Sequence, residues 1–488
     1  MEFTQLISTQ EVARHNNPSD CWIVIDDQVW DVTAFAPEHP GGANLLLKYA
    51  GQDATKEYAE FHAPSIVKDN LALECFKGNL DRSTIDENWK REPVAANNTQ
   101  AAPESEKPEL HNIINSYDFE EVAARTASKK AFAFYSTAAT DCWTRDMNNS
   151  MYKRIWFRPR VMRDVAEVDT SGSMLGIPLR VPLFICPTGL AKMINPEGEK
   201  ALARAAKSTG ILEVISTVSS HPHADILREA PDYPFLFQLY VNKDRAKAAE
   251  LIQHATALGV RAIFLTVDAA GRGKRESDER IKVDEVVINP VTGQRAANDK
   301  KGGGLTRTMG SYIDQSMSWK DIAWIRSLTD VPIVLKGITN AEDAKLAMQH
   351  KVAGILVSNH GGRNLDFSPP AILVLLELHK RCPEVFDAME VYVDGGIRRG
   401  GDILKALCLG AKAVGVGRPF LYALNYGTEG AEHLVEILKD EMESVMKLIG
   451  IKSLDEVHPG LVNTFDVDHL VPSTPDHPYA KWRPKARI

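Results

Sequence analysis

At 488 residues the chain exceeds what one ordinary core organises, so a module of roughly 80 to 100 residues joined to a larger domain is expected. Hydrophobic residues make up 44% and charged residues 25%, the balance of a soluble globular protein, and no run reaches the roughly 18 apolar residues that crossing a bilayer takes, so a membrane-spanning chain is excluded. A net charge of -8 repels a phosphate backbone and sets nucleic acid aside as a partner. The N-terminus, Met1-Glu2-Phe3-Thr4, has neither the apolar core of a signal peptide nor the arginine-rich pattern of a transit peptide. Cys21, Cys75, Cys142, Cys186, Cys382 and Cys408 are scattered, which argues against a disulfide framework and a zinc site.

The first ordered segment runs through Cys21-Trp22-Ile23-Val24-Ile25 to Phe35-Ala36-Pro37-Glu38-His39-Pro40-Gly41-Gly42, and a second histidine follows in Phe61-His62-Ala63. Two histidines alone would read as a turn residue and a helix residue. In this context, from about Thr9 to Leu80, the pattern resembles the cytochrome b5 family. The tight Pro-Gly-Gly turn aims the His39 imidazole inward and lets the backbone approach a flat ligand, while His62 can close the other face of an iron. Two neutral nitrogen ligands give a saturated haem suited to electron transfer, so the module at 1–80 is expected to be α+β and to bind haem b through His39 and His62.

Residues 81–110 turn polar and rich in Pro, Asn, Glu and Ala, and read as a linker. Behind them eight short apolar runs, each followed by a helical pattern, occupy residues 183–187, 212–217, 235–241, 262–268, 332–337, 354–359, 391–395 and 413–417. This alternation predicts a parallel sheet, and its eight-fold count predicts an α/β domain of the TIM (β/α)₈ barrel type over 111–470, with a tail at 471–488. A doubly wound open sheet is the competing architecture. The charged stretch from Gly271 to Gly310, with Asp299-Lys300-Lys301-Gly302-Gly303-Gly304 inside it, reads as a long mobile loop over the site face.

At the strand ends stand Gln238-Leu239-Tyr240, Thr266-Val267-Asp268, Ser358-Asn359-His360-Gly361-Gly362-Arg363, Val393-Asp394-Gly395-Gly396-Ile397-Arg398 and Gly415-Val416-Gly417-Arg418. Together, from about Asp118 to Gly450, they resemble the FMN-dependent 2-hydroxy acid oxidase and dehydrogenase family. Oxidising a 2-hydroxy acid needs a base matched to neutral pH, for which His360 is the candidate. Asp268 would orient its ring and stabilise the imidazolium, although a strand-end carboxylate can also be a turn cap. Arg363, three residues after the base, is placed to fork a substrate carboxylate. Tyr240 shares a strand face with Gln238 and can hydrogen-bond the substrate hydroxyl, or can be a core tyrosine. Lys336, ending an apolar strand, would stabilise the negative edge of reduced flavin. The ring is expected to meet Pro187, Thr188, Gly189, Ser216, Gln238 and Thr266. The phosphate is expected at the last two strand ends, with Gly395, Gly396, Arg398, Gly417 and Arg418, and Asp394 is a further expected cofactor-binding residue.

The resemblance adds a carboxylate role for Arg275, which by itself would be a solvated loop charge. It implies oxidation of an L-2-hydroxy acid, L-lactate or a larger relative, with FMN and haem b as cofactors, a cytochrome c-like electron acceptor and a homotetramer. An oxidase using oxygen and a haem module with a non-catalytic barrel are the alternatives. One departure stands out: the family carries Tyr-Tyr where this chain has Phe134-Tyr135, so one donor to the substrate carboxylate is missing. The family also places Gly189 and Val218 beside the substrate side chain, where relatives carry larger residues. The compartment is left open among the mitochondrial intermembrane space, which the family implies, the cytoplasm, and the peroxisome suggested by the terminal Ala486-Arg487-Ile488.

Overall fold

The computed structural model describes residues 5–39, 46–47, 49–55, 58–59, 66–67, 71–86, 89, 107–271, 273–283, 287–300 and 302–471. The chain divides into two compact units, Met1–Glu106 and Lys107–Ile488. Among the described residues no helix is long and apolar enough to cross a membrane.

The first unit is built on a mostly antiparallel sheet whose central hairpin pairs Asp20–Ile25 with Gln28–Asp31. Its two-residue turn, Asp26-Asp27, takes positive φ at both positions (49° and 61°), the conformation that matches the right-handed twist of the flanking strands. Alternation along the strands then sends Cys21, Ile23 and Ile25 to one core with Trp30 and Val32, and Val24 to another with Ile7, Val12, Val29 and Leu80. His39 closes the short 3₁₀ turn Ala36–Glu38 and meets the Phe35 ring edge-on, centroids 5.8 Å apart. Pro40, Gly41, Gly42 and His62, on which the expected haem turn and second ligand depend, lie outside the described residues.

Both units reach into the segment expected to be a linker. Thr84 exchanges two hydrogen bonds with Thr9 (2.9 and 2.7 Å), and Pro108 accepts one from Tyr426 Oη at 2.8 Å.

The second unit is a closed barrel of eight parallel strands: β1 (Leu183–Ile185), β2 (Leu212–Ser216), β3 (Leu236–Leu239), β4 (Ile263–Thr266), β5 (Ile333–Ile338), β6 (Gly354–Val357), β7 (Glu390–Asp394) and β8 (Ala413–Val416). Each coincides with one of the eight apolar runs, and the open-sheet alternative falls away because β1 pairs with β8. Strand period explains both core and site. Outward residues such as Ile215, Leu265, Leu335, Ile355 and Val393 pack under the helices, while Phe184, Val214, Leu236, Phe264, Val334, Leu356 and Tyr392 fill the interior. Two residues further along the same inward faces come Cys186, Ser216, Gln238, Thr266, Lys336, Ser358 and Asp394. The barrel is therefore apolar below and polar at the carboxyl ends of its strands. A hairpin, Gly172–Met174 with Ile177–Leu179, contributes Met174 and Leu179 to the apolar interior cluster.

Three helices precede the barrel: α1 (Ser116–Thr126), α2 (Lys129–Ser136) and α3 (Trp143–Lys153). α1 starts with an Asn115/Asp118 capping box and α2 with a Ser128 cap, whereas α3 follows Cys142 in a left-handed conformation with no side-chain cap of its own. Asp366 supplies that cap from a distance, accepting from the backbone of Asp141 (3.0 Å) and Thr144 (2.8 Å) and from Thr140 Oγ1 (2.9 Å).

The stretch expected to be an unstructured loop is folded. It contains the helices Glu276–Arg280 and Leu305–Met309 and a two-stranded pairing of Asn298–Asp299 with Gly302–Gly303. Its anchor is a carboxylate, Asp278, that is fully buried.

Candidate active site

His360 sits just past β6 in a turn that runs left-handed through three residues, with φ of 58° at His360, 62° at Gly361 and 75° at Gly362. A non-glycine residue held there costs on the order of 1–3 kcal/mol, so its surroundings must fix it. Asn359 does so: its Oδ1 accepts from Gly362 N at 3.1 Å, and its amide pairs reciprocally with buried Asn148 of α3, both bonds 2.8 Å. The two glycines are needed because a Cβ at Gly362 would stand 2.6 Å from Arg145 N and one at Gly361 2.9 Å from an Arg418 nitrogen. The His360 backbone N–H also donates to Ser358 Oγ (3.1 Å), which in turn accepts from Lys336 Nζ (2.9 Å).

The imidazole Nδ1 lies 3.0 Å from Asp268 Oδ1. An N–H donated to that carboxylate fixes the proton on Nδ1 and leaves the Nε2 lone pair toward the cavity, where the Tyr240 hydroxyl stands 3.2 Å away. Burial lowers the His360 pKa below the ordinary histidine value, and the Asp268 charge only partly counters it. The ring is thus a neutral base at neutral pH. Burial works to raise the Asp268 carboxyl, but His360 and Lys336 outweigh it and hold it below the usual range. Burial pushes the Tyr240 phenol up to about 12, so it keeps its proton as a donor.

At the ends of β5 and β7, Lys336 Nζ pairs with Asp394 Oδ2 at 3.2 Å. Burial disfavours the ammonium, yet Asp394 and Asp268 raise its pKa above that of an ordinary lysine, so the cation persists. Gln238 is locked on the adjoining wall, donating to Thr266 Oγ1 (2.9 Å) and accepting from Thr217 N (3.2 Å).

Three guanidiniums complete the face. Arg363 gives one nitrogen to the carbonyls of Phe134, Tyr135 and Thr137 (2.9, 3.0 and 3.2 Å), and Arg418 bonds Tyr135 O and Thr137 O, both at 2.8 Å. They cluster there because the carboxyl end of α2 presents unpaired carbonyls and a negative dipole end. Arg275 reaches in from the folded loop and donates to Arg363 O at 3.3 Å. Among the described residues none of the three forms an ion pair. Burial lowers all three pKa values, Arg275 to about 10, and a neighbouring guanidinium adds to the effect at each: Arg418 at Arg275, Arg275 and Arg418 at Arg363, and Arg145 at Arg418. Unpaired cations lining a cavity make an anion site.

The cavity measures about 710 Å³ and runs from Pro187, Thr188, Gly189 and Ser216, past Lys336 and His360, to Gly395, Gly396, Arg398, Gly417 and Arg418. FMN fits this donor set. A persistent cation stands at Lys336, and the buried Asp394 Oδ1, without a hydrogen-bond partner, suits a ribityl hydroxyl. Three residues expected at the phosphate, Gly395, Gly396 and Arg398, carry structural duties as well. The positive φ of Gly395 and Gly396 (95° and 82°) lets α3 close in, for a Cβ at Gly396 would meet Asn148 C at 2.3 Å. Arg398 is committed to α1, through Ser116 (3.1 Å), Glu120 (2.6 Å) and the face of Tyr117 at 4.1 Å. Asn148 and Asp366 carry no local signal in the sequence, because their partners lie more than 200 residues away, and Ser358, whose partners His360 and Lys336 are closer, stands in the strand-end motif without a role that the motif itself announces. Phe134 lies under Arg363, its ring 5.2 Å from the guanidinium carbon.

The FMN-dependent dehydrogenase family matches residues 123–464, and the cytochrome b5-like heme/steroid binding domain matches residues 8–81. The chain is 43% identical over 475 residues to L-lactate dehydrogenase (cytochrome) of Saccharomyces cerevisiae, an alignment covering 94% of this chain and 80% of that protein. It is 39% identical to glycolate oxidase of Spinacia oleracea, over 71% of this chain and 94% of that one. Among solved structures, the flavin-binding domain of baker's yeast flavocytochrome b2 aligns with 42% identity and a TM-score of 0.67, covering 76% of this chain and 91% of that one. A mandelate oxidase with (S)-4-hydroxymandelic acid aligns with 32% identity and a TM-score of 0.66, covering 72% and 98%. On sequence, fold and site together, the chain belongs to the FMN-dependent dehydrogenase family, with a cytochrome b5-like domain ahead of its barrel.

Proposed function

We infer that the protein oxidises an L-2-hydroxy acid to the 2-keto acid with FMN and passes the electrons through haem b to a cytochrome c-like acceptor. The observation that carries this reading is a neutral imidazole, tautomer-fixed by Asp268, facing the same cavity as the unpaired guanidiniums of Arg275 and Arg363. When bound, FMN supplies a two-electron acceptor and haem b a one-electron carrier. The residues do the rest. Arg363 and Arg275 hold the substrate carboxylate, which fixes carbon-2 and its hydroxyl before His360 and Tyr240. His360 Nε2 takes the proton, and Asp268 stabilises the imidazolium. Lys336 meets the negative charge that develops on the reduced cofactor. Pro187, Thr188, Gly189, Ser216, Gln238 and Thr266 form the wall for the ring, and Gly395, Gly396, Gly417 and Arg418 the phosphate end. Arg398 orders that end through α1. A homotetramer, which the family implies, is tested by sizing in solution.

The substrate side chain lies against Gly189 and Val218. These two residues do not leave an empty wall, since a Cβ at Gly189 would stand 2.4 Å from Val218 Cγ2 and Val218 already fills part of the space. Met309 and Ile313 also line the cavity and are apolar, and the unbranched Met309 side chain can move aside. The pocket therefore accepts 2-hydroxy acids longer than lactate, each buried methylene contributing about 0.8 kcal/mol and two of them roughly one decade in preference. Anaerobic flavin reduction with L-lactate, L-2-hydroxybutyrate, L-2-hydroxyisocaproate and L-mandelate tests both statements. Bleaching by the series, with L-2-hydroxybutyrate or L-2-hydroxyisocaproate at least equal to lactate in kcat/KM, is expected. A steady fall from lactate onward contradicts the wider pocket, and no bleaching by any member contradicts the activity.

A further inference from the structure

The folded loop after β4 carries Arg275, yet its sequence is charged and its elements are only two to five residues long, too short to stand alone. What holds it is a buried ion pair. Lys130 of α2, 9% exposed, places Nζ 2.5 Å from Oδ1 of Asp278, which is 0% exposed, and donates to the carbonyls of Asp278 (2.6 Å) and Ile281 (2.9 Å). The other carboxylate oxygen accepts from Thr306 Oγ1 at 2.7 Å, and Arg275 leans on the same hydroxyl at 3.5 Å while donating to Arg363 O at 3.3 Å.

The glycine run that marks this stretch makes the arrangement possible. A Cβ at Gly302 would stand 2.1 Å from Glu279 O, one at Gly303 2.3 Å from Ile281 O and 2.7 Å from Lys130 Nζ, and one at Gly304 2.4 Å from Ala297 O. Gly302 and Gly303 thus pack the hairpin onto helix Glu276–Arg280 and the residue after it and leave room for the ammonium, while Gly304 closes against Ala297. Lys130 lies about one to two turns before the carbonyls that hold Arg363, so α2 supports both guanidiniums, one directly and one through Asp278.

We propose that Lys130 and Asp278 are positioning residues, a latch seated by Gly302–Gly304 that holds the loop closed with Arg275 aimed at the substrate carboxylate. The proposal rests on the carboxylate role of Arg275 given above. It separates the latch from the chemistry: opening it weakens binding of the carboxylate and leaves proton transfer at His360 intact.

The test uses the full-length protein loaded with FMN and three variants, Lys130→Met, Gly303→Ala and Arg275→Met. Three quantities are read: KM and kcat for L-lactate, the Kd of oxalate from perturbation of flavin absorbance, and the rate of tryptic cleavage between Lys274 and Arg307. With Lys130→Met, KM and the oxalate Kd rise at least roughly tenfold, the loss of one charge-assisted contact, while kcat falls less than threefold and cleavage accelerates. Gly303→Ala, whose added methyl meets the Ile281 carbonyl at 2.3 Å, the Lys130 ammonium at 2.7 Å and the Asp278 carbonyl at 3.1 Å, disturbs the same contacts, reproduces the effect and serves if Lys130→Met does not fold. Raised KM in Arg275→Met with unchanged KM and cleavage in the other two overturns the latch. A fall in kcat at constant KM in Lys130→Met overturns it as well. Unchanged KM and oxalate affinity in Arg275→Met overturns instead the carboxylate role of Arg275.

Discussion

Replacing His360 by Gln is expected to slow flavin reduction by the hydroxy acid by at least about 10²-fold, the usual cost of a lost general base, while FMN stays bound. Glutamine keeps the size of the ring and can still reach Asp268 at the position Nδ1 now occupies, 3.0 Å from Oδ1, so the left-handed turn and the Asn148–Asn359 pair that fix it survive. What it lacks is a lone pair that takes a proton near neutrality. The wild-type pH profile offers the companion check. The base acts only when neutral, and burial sets its pKa below the ordinary histidine value, so kcat/KM falls on the acid side only below that range. Reduction kinetics are measured by anaerobic stopped flow, and near-normal rates in His360→Gln would remove this residue from the role of base.

Replacing His62 by Ala is expected to abolish the low-spin haem spectrum and the reduction of a cytochrome c-type acceptor, with flavin reduction by substrate retained. The two effects separate because His39 and His62, the expected haem ligands, fall in the stretch of the first unit, while His360, the guanidiniums and the cavity belong to the second. Loss of one nitrogen ligand opens a coordination position and shifts the iron away from the saturated state that suits electron transfer. His39→Ala should behave alike. A normal haem spectrum in either variant would show that the iron is held by other residues.

How far the sequence could be read follows from where each interaction lies along the chain. The eight strands are legible because each is a short, nearly continuous apolar run buried on both faces and followed by a helical pattern, as a parallel barrel requires. Site residues such as Lys336, Thr266, Asp268 and Asp394 are legible as polar residues at the ends of these runs. The loop holding Arg275 is not. Its fixed shape depends on Asp278 finding Lys130, on α2, and no local pattern announces a buried ion pair between such distant residues. Read alone, its charges and three glycines describe a solvated, mobile segment, whereas in the fold the glycines are points of close contact. Asp366 and Asn148 escape notice likewise, since a cap supplied in trans and an amide pair between helix and turn leave no periodic trace. Arg398 shows the opposite case: the sequence suggests a phosphate contact, and the fold employs its guanidinium to pin α1.

Phe134 bears on how tightly substrate is held. Its position in the family supplies a hydroxyl to the carboxylate, and here the ring instead stacks beneath Arg363. In the proposed site the substrate carboxylate is held by Arg275 and Arg363, and Arg363 is kept in place by the carbonyls of Phe134 and Tyr135 in α2 and of Thr137 just after it. A site built this way gains from the apolar end of the substrate what it lacks at the carboxylate, consistent with the longer 2-hydroxy acids proposed above.

The central claim, that electrons from the hydroxy acid enter at the barrel and leave through the haem, is tested most directly by the visible spectrum of the purified full-length protein before and after anaerobic addition of L-lactate or the best substrate of the series. Bleaching of the flavin band together with sharpened, reduced haem bands, in the absence of any other acceptor, is the predicted result. A bleached flavin beside a haem that stays oxidised, and is reduced only by added dithionite, would contradict it.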